Sequence, residues 1–265
     1  MRRVIFTPKG GVGKSSITCN LAAVSAHRGL RTLVVDLDVQ GNATEYLLEK
    51  RAGEVRDTVE DLFEQTLALN FLSKKSPESY VHATRFANLA VMPAGPSLDV
   101  LAPRLEARQK IYKFRDALRE LGKRFDRIYI DTPPALNFYT RSALIAAERV
   151  LVPFDCDDFS RQALYSVVET IQELREDHNP TLMFEGVVVN QYQPGAKLPR
   201  QLLDELEAEG LPILPVKLAS SVKMRESHQE HLPLVHLAPK HKLTEAFEAL
   251  HEYLHSASGG ARRAV

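Results

Sequence analysis

The chain opens MRRVIFTPKGGVGKSS (residues 1–16), and the order of residue types in this stretch decides the fold. A short apolar run, Arg2 to Phe6, reads as a strand, a glycine-rich loop follows, and Ile17, Leu21 and Val24 then recur at helical spacing. Strand, glycine loop and helix in that order make a cradle for phosphate. Gly10, Gly11 and Gly13 let the backbone curl so that successive N–H groups face phosphate oxygens, and the helix adds the positive end of its dipole. In the pattern G-x-x-x-x-G-K-[ST], Lys14 reaches the β- and γ-phosphates and the Ser15 hydroxyl is placed to coordinate Mg²⁺. Two features depart from the ordinary pattern: Pro8 stands where the first glycine belongs, and a second lysine, Lys9, follows it.

Further β-branched runs lie downstream: TLVVDLD (32–38), LAVMPA (89–94), RIYID (127–131), RVLVPFD (149–155), FEGVVVN (184–190) and ILPV (213–216). Between them come helix-period stretches such as Leu164, Val167, Val168, Ile171 and Leu174. Nearly continuous apolar strands alternating with helices predict an α/β fold, a doubly wound, mostly parallel sheet with helices on both faces. Two acidic stations fall at strand ends, where ligands of such sheets bind. Asp131 closes RIYID and fits the aspartate that holds Mg²⁺ through water; Asp36 and Asp38 end VVDLD, spaced to project to one side. Taken singly, each is equally well a solvated strand-end carboxylate.

The 265 residues are 44% apolar, enough for one large domain, here expected over 1–255. Residues 50–86, charged and weakly patterned, are expected as a helical insertion at the sheet's edge. Leu243, Phe247, Leu250 and Leu254 mark a C-terminal helix, and 256–265 are expected as a disordered tail. Lys plus Arg equals Asp plus Glu at 34 each, so attraction to a polyanion requires a local patch. The two cysteines, Cys19 and Cys156, form no C-x-x-C pair, which argues against a disulfide framework or a cluster held by this chain alone. With no secretory core and no apolar run near roughly 18 residues, a cytoplasmic location is expected.

KGGVGKSS (9–16), DLDVQGNAT (36–44), IDTPPALN (130–137) and VVVNQY (187–192) together resemble the deviant Walker-A P-loop ATPases of the ParA/MinD family, the Soj-type ParA proteins above all because of QGNAT. The likeness runs in order along almost the whole chain. It implies an ATP- and Mg²⁺-dependent ATPase in which two subunits sandwich two ATP molecules and Lys9 reaches across to the partner's nucleotide. By the same resemblance, Lys9, Gly10, Gly11, Val12, Gly13, Lys14, Ser15 and Ser16 bind nucleotide, and Asp38 orients or deprotonates the attacking water. Ser15, Asp36 and Asp131 serve the metal, and Asn190 contacts adenine unless it is an ordinary strand-end turn residue.

Such a switch needs an output. The stretch VKLASSVKMR (216–225) carries Lys217, Lys223 and Arg225 with no acid and aligns with the family's DNA-contacting segment, while Lys197 and Arg200 precede it. These residues either bind double-stranded DNA nonspecifically, as on a nucleoid, or form a merely solvated charged loop. A MinD-like membrane output would need a basic amphipathic C-terminal helix, and the small residues of SASGGARRAV argue against it. The resemblance adds a ParB-like or cargo-adaptor partner. With the first strand starting at residue 2, no N-terminal operator-binding extension is expected. HEYLH (251–255) spells a zinc-protease motif, but Leu254 belongs to an apolar face and no strong third ligand follows. HQEH (228–231) reads as surface, and 104–127 as one basic helix burying Ile111, Phe114, Leu118 and Leu121, its basic face solvated, binding DNA or docking an adaptor.

Overall fold

The computed structural model describes residues 1–68, 74–155, 160–193 and 197–256. The strands are β1 (Arg2–Ile5), β2 (Thr32–Asp36), β3 (His82–Ala83), β4 (Leu89–Met92), β5 (Arg127–Asp131), β6 (Arg149–Asp155) and β7 (Met183–Asn190). They form a seven-stranded sheet in the order β3-β4-β2-β5-β1-β6-β7, parallel throughout except for β3, which pairs antiparallel with β4. Helices on the first half of the chain are α1 (Lys14–His27), α2 (Asn42–Leu48), α3 (Val59–Glu64), α4 (Leu98–Ala107), α5 (Lys113–Leu121) and α6 (Phe138–Ala146). The second half adds α7 (Ser160–Asp177), α8 (Lys197–Ala208), α9 (Val222–Gln229), α10 (Leu234–Leu237) and α11 (Lys242–Ser256).

Strand residues alternate between two cores. Val4, Leu33, Val35, Ile128, Ile130 and Val150 face one core with the apolar sides of α3 to α8, while Ile5, Val34, Tyr129 and Leu151 face the other with α1, α2, α10 and α11. A sheet covered on both faces is the doubly wound architecture that the continuous apolar runs predict. The winding matters for the site. β1 lies between β5 and β6, so the chain leaves the sheet's centre at the β1–α1 loop, the topological position where such sheets bind ligands. Register places Asp36 beside Asp131 at the same edge.

Two expectations need correction. ILPV is no regular strand: Ile213 makes only an isolated bridge to Val187, because Pro212 and Pro215 remove donors from the ladder. The Pro212 carbonyl nonetheless accepts the Val187 N–H at 2.9 Å, and Gly186 permits that approach, since a Cβ there would lie 2.4 Å from the Pro212 oxygen. The basic stretch 104–127 is not one helix. It breaks between α4 and α5 at Gln109, whose φ of 52° lies outside helical space, and Ile111 falls in the break, half-buried. Within 50–86, Val59, Leu62, Phe63 and Tyr80 enter the first core and β3 forms the sheet's edge. The stretch is therefore better packed than its weak pattern indicates. The C-terminal stripe Leu243, Phe247, Leu250 and Leu254 is buried as read; residues 257–265 of the expected tail and Cys156 lie outside the described residues.

Candidate functional site

The β1–α1 loop crosses the sheet's carboxyl edge with Gly11 at φ 76° and Gly13 at φ 85°, a left-handed backbone that side chains disfavour. Gly13 also has no room for one: a Cβ there would lie 2.3 Å from the Asn190 amide nitrogen. That amide donates to the Val12 carbonyl at 2.9 Å, and the neighbouring Gln191 amide donates to the Gly11 carbonyl at 2.9 Å. Asn190 thus braces the loop from behind. Gln191 escaped the sequence reading because nothing local links residues so far apart.

In front of the loop opens a pocket of about 690 Å³, lined by Gly10, Gly11, Gly13, Lys14, Ser15 and Ser16 on one wall. Asp38, Gln40, Tyr46, Pro134, His228 and His231 contribute the others. Lys14 is buried and donates to the Lys9 carbonyl at 2.8 Å; burial lowers its pKa, opposed by Asp131 and Asp38. Asp38 accepts the Gln40 N–H at 3.0 Å, and burial raises its pKa. Lys9 stands apart from this pocket, beside a second, small one lined also by Val12, Phe154 and Asp155.

Asp36 and Asp131 are both fully buried. Asp36 turns inward, one oxygen accepting the Asp38 N–H at 3.1 Å and the other the Thr44 N–H and hydroxyl at 2.8 and 2.7 Å. It does not project beside Asp38, because the strand ends at Asp36 and its alternation ends with it. Asp131 sits behind Ser15, one oxygen accepting the Thr18 hydroxyl at 3.3 Å and the other, Oδ2, buried without a hydrogen-bond partner. Burial raises the pKa of Asp131, the adjacent Asp36 raises it further, and Ser15 and Lys14 pull the other way. A buried carboxylate oxygen with no donor, beside a second carboxylate and a hydroxyl, fits a divalent cation of oxygen preference.

The predicted basic residues scatter. Arg200 and Arg225 are exposed; Lys217 lies over the Tyr192 ring at 5.0 Å, and Lys223 pairs with Glu226. Lys197 opens α8, its side chain outside the described residues. HQEH is surface only in part: Gln229 and Glu230 are exposed, His228 and His231 half-buried. His228 ends α9 against the nucleotide-side pocket, where its Nε2 lies 2.7 Å from the Ser16 hydroxyl, and burial lowers its pKa. The HEYLH pair is spent differently: His251 and His255 stack at 4.0 Å, His251 hydrogen-bonds Ser25 at 2.9 Å, and no cluster of three potential metal ligands occurs among the described residues. Cys19 is buried, which raises its thiol pKa.

Comparison with known proteins agrees with this geometry. The AAA domain family model AAA_31 matches residues 3–184. The chromosome partitioning protein ParA of Myxococcus xanthus is 32% identical over 248 residues, covering 93% of this chain and 84% of that protein. The chromosome-partitioning ATPase Soj of Thermus thermophilus is 30% identical over 254 residues, covering 95% and 94%. Among solved structures, cobyrinic acid a,c-diamide synthase from Mycobacterium smegmatis with bound ADP and magnesium superposes with TM-score 0.84 over 98% of this chain and 96% of that one; at 23% identity this bears on the fold alone. With loop, sheet order and relatives in agreement along nearly its whole length, the chain belongs to the ParA/Soj-type family of P-loop ATPases.

Proposed function

We propose that this protein is a positioning ATPase. Two Mg²⁺·ATP-loaded copies close face to face, the dimer holds double-stranded DNA without regard to sequence, and a ParB-like or cargo-adaptor protein triggers hydrolysis and release. The observation that carries this is the double-lysine loop KGGVGKSS, curled by Gly11 and Gly13 in front of a pocket large enough for a nucleoside triphosphate. Lys14, now on a neutral carbonyl, exchanges it for charged phosphate oxygens, a stronger acceptor. The loop backbone from Lys9 to Ser16 supplies further donors.

Ser15 and Asp131, with Asp36 behind, would hold Mg²⁺, which when bound offsets charge on the phosphates. Asp38, lining the pocket, orients or deprotonates the attacking water. Lys9 acts on the partner copy's nucleotide, a cation supplied in trans worth roughly 10³–10⁵ in rate where arginine plays that part. Asn190 holds the loop that the base and phosphates meet; an adenine contact from it is part of the same proposal.

The output is a set of basic residues, Arg200, Arg225, Lys217 and Lys223, with Lys197 at the start of α8. Dimerisation doubles it, and because each phosphate contact releases counterions, affinity rises steeply at low salt. A cytoplasmic protein on the nucleoid follows from this. No helix among the described residues is long and apolar enough to cross a membrane. The test is retention on DNA and on anionic liposomes, each with ADP and with ATP. Retention on DNA with ATP alone is expected; retention on liposomes with ATP and not on DNA would replace this function with a MinD-like membrane output.

A further inference from the structure

We propose that His228 is a positioning residue that transmits the state of the phosphate loop to α9, the helix carrying Lys223 and Arg225. The inference rests on the proposed function only for what α9 does next; the connection itself is geometric. Ser16 lies in the first turn of α1, directly after Ser15, and its hydroxyl shares a 2.7 Å hydrogen bond with His228 Nε2. The imidazole is held flat by Tyr46, ring centroids 4.5 Å apart and planes 29° off parallel. Tyr46 is buried, and its hydroxyl hydrogen-bonds Ser227, the residue before His228.

Asn20, one turn along α1, closes the set. Its amide donates to the Ser16 carbonyl at 2.9 Å and to the Tyr46 hydroxyl at 3.4 Å, and its oxygen accepts the Leu234 N–H at 2.9 Å. Ser227 in turn donates to the Leu232 carbonyl at 2.7 Å, fixing the turn between α9 and α10. Three elements therefore meet behind one wall of the pocket, and the imidazole is the member of this set on α9 that also faces the pocket.

That arrangement makes a lever. When a triphosphate draws Lys14 away from the Lys9 carbonyl and seats on the first turn of α1, Ser16 shifts with that turn. The imidazole, clamped on Tyr46, cannot follow alone, so the displacement passes to the short helix whose last turn carries it. The other tie of α9 to α1 is a 3.8 Å contact between the Asn20 amide and the Met224 sulfur; Ser227 anchors its last turn to Tyr46 and Leu232, and its start rests on the Ser221 cap.

Hydrogen exchange on the full chain, with Mg²⁺·ADP and with Mg²⁺·ATP, reads this directly. In the wild type, amides of 222–229 differ between the two states. His228→Ala loses about tenfold of that difference while the first turn of α1 still gains protection from ATP, and His228→Gln, whose amide can still reach Ser16, restores it. Ser16→Ala removes the α9 response too, and joining it to His228→Ala removes no more than either alone. An undiminished response in His228→Ala, or no response in the wild type, overturns the proposal. If α9 responds as described yet no form is retained on DNA, the lever stands and the DNA output fails.

Discussion

The two ends of β1 and β5 use buried charge in opposite ways. At the amino edge, Arg3 is fully buried and its guanidinium grips Glu185, with Nη2 to Oε1 at 2.8 Å. Nε also bonds Glu185, and Nη1 donates to the Tyr129 hydroxyl at 3.3 Å, which meets Ser25 at 2.8 Å, and Ser25 meets His251 at 2.9 Å. At the carboxyl edge, only two residues beyond Tyr129, Asp131 leaves an oxygen without a donor and leans on a second carboxylate. At the amino edge the charge itself is paired within the chain, although the network ends on a His251 Nδ1 without a partner; at the carboxyl edge an oxygen of the charged group is what stays unpaired, to be completed by what binds. Buried charge alone does not mark a functional site, whereas buried charge that the chain declines to satisfy does.

If that contrast is right, substitutions at the two ends separate stability from activity. Arg3→Ala leaves Glu185 with Arg149 at 3.5 Å and without its bidentate partner, and should cost about 3 kcal/mol in urea unfolding, leaving the nucleotide affinity of the remaining folded fraction unchanged. Lys14→Ala should lower hydrolysis by about 10²–10³-fold, with the melting temperature of the free protein nearly unmoved. If Lys14→Ala instead unfolds the protein, or Arg3→Ala chiefly impairs catalysis, the two ends are not distinct.

The pH dependence should differ in sign. The pKa values of Asp36 and Asp131 are raised by burial, so the folded form binds more protons than the unfolded one above the ordinary carboxylate range near pH 4, and free-protein stability falls as pH rises through the raised values. His251 and His255 are pushed down to about 3 and about 4, chiefly by burial, so the unfolded form binds more protons below about pH 6.5 and stability falls as pH drops from there. Melting curves across pH 4 to 8 should show Asp131→Asn flattening the first trend and His251→Gln the second. The smallest effect expected is a gain of about 1 kcal/mol for Asp131→Asn without nucleotide at the upper end of that range, from removing a carboxyl whose charged form is disfavoured first by burial and then by Asp36. Loss of stability there would show that Asp131 is already satisfied.

Much of this was legible because local chemistry dictates it. Gly11 and Gly13 announce a backbone that few other residues adopt, and each apolar run except ILPV forms a strand. What sequence did not show depends on distant partners. His228 reads as surface until α9 is laid against Ser16 and Tyr46; Gln191 has no assigned role until β7 ends beside the loop. The strand β3, two residues long, carries too little pattern to find, and the break at Gln109 hides in a charged run whose apolar stripe, from Ile111 to Leu121, lies wholly after it. His251 and His255 show the converse: a motif with the right letters, spent on a ring stack and a buried hydroxyl.

The claim on which the rest depends is that Lys9 completes a second copy's site. Mixing Lys9→Ala with Asp38→Ala, each inactive alone, tests it with purified protein. In a mixed dimer the Lys9→Ala subunit keeps its own Asp38 and receives Lys9 from its partner, so one of the two sites is whole. An equal mixture should then recover roughly a quarter of wild-type hydrolysis, since about half the dimers are mixed. If Lys9 serves its own subunit's nucleotide, no ratio of the two variants restores activity.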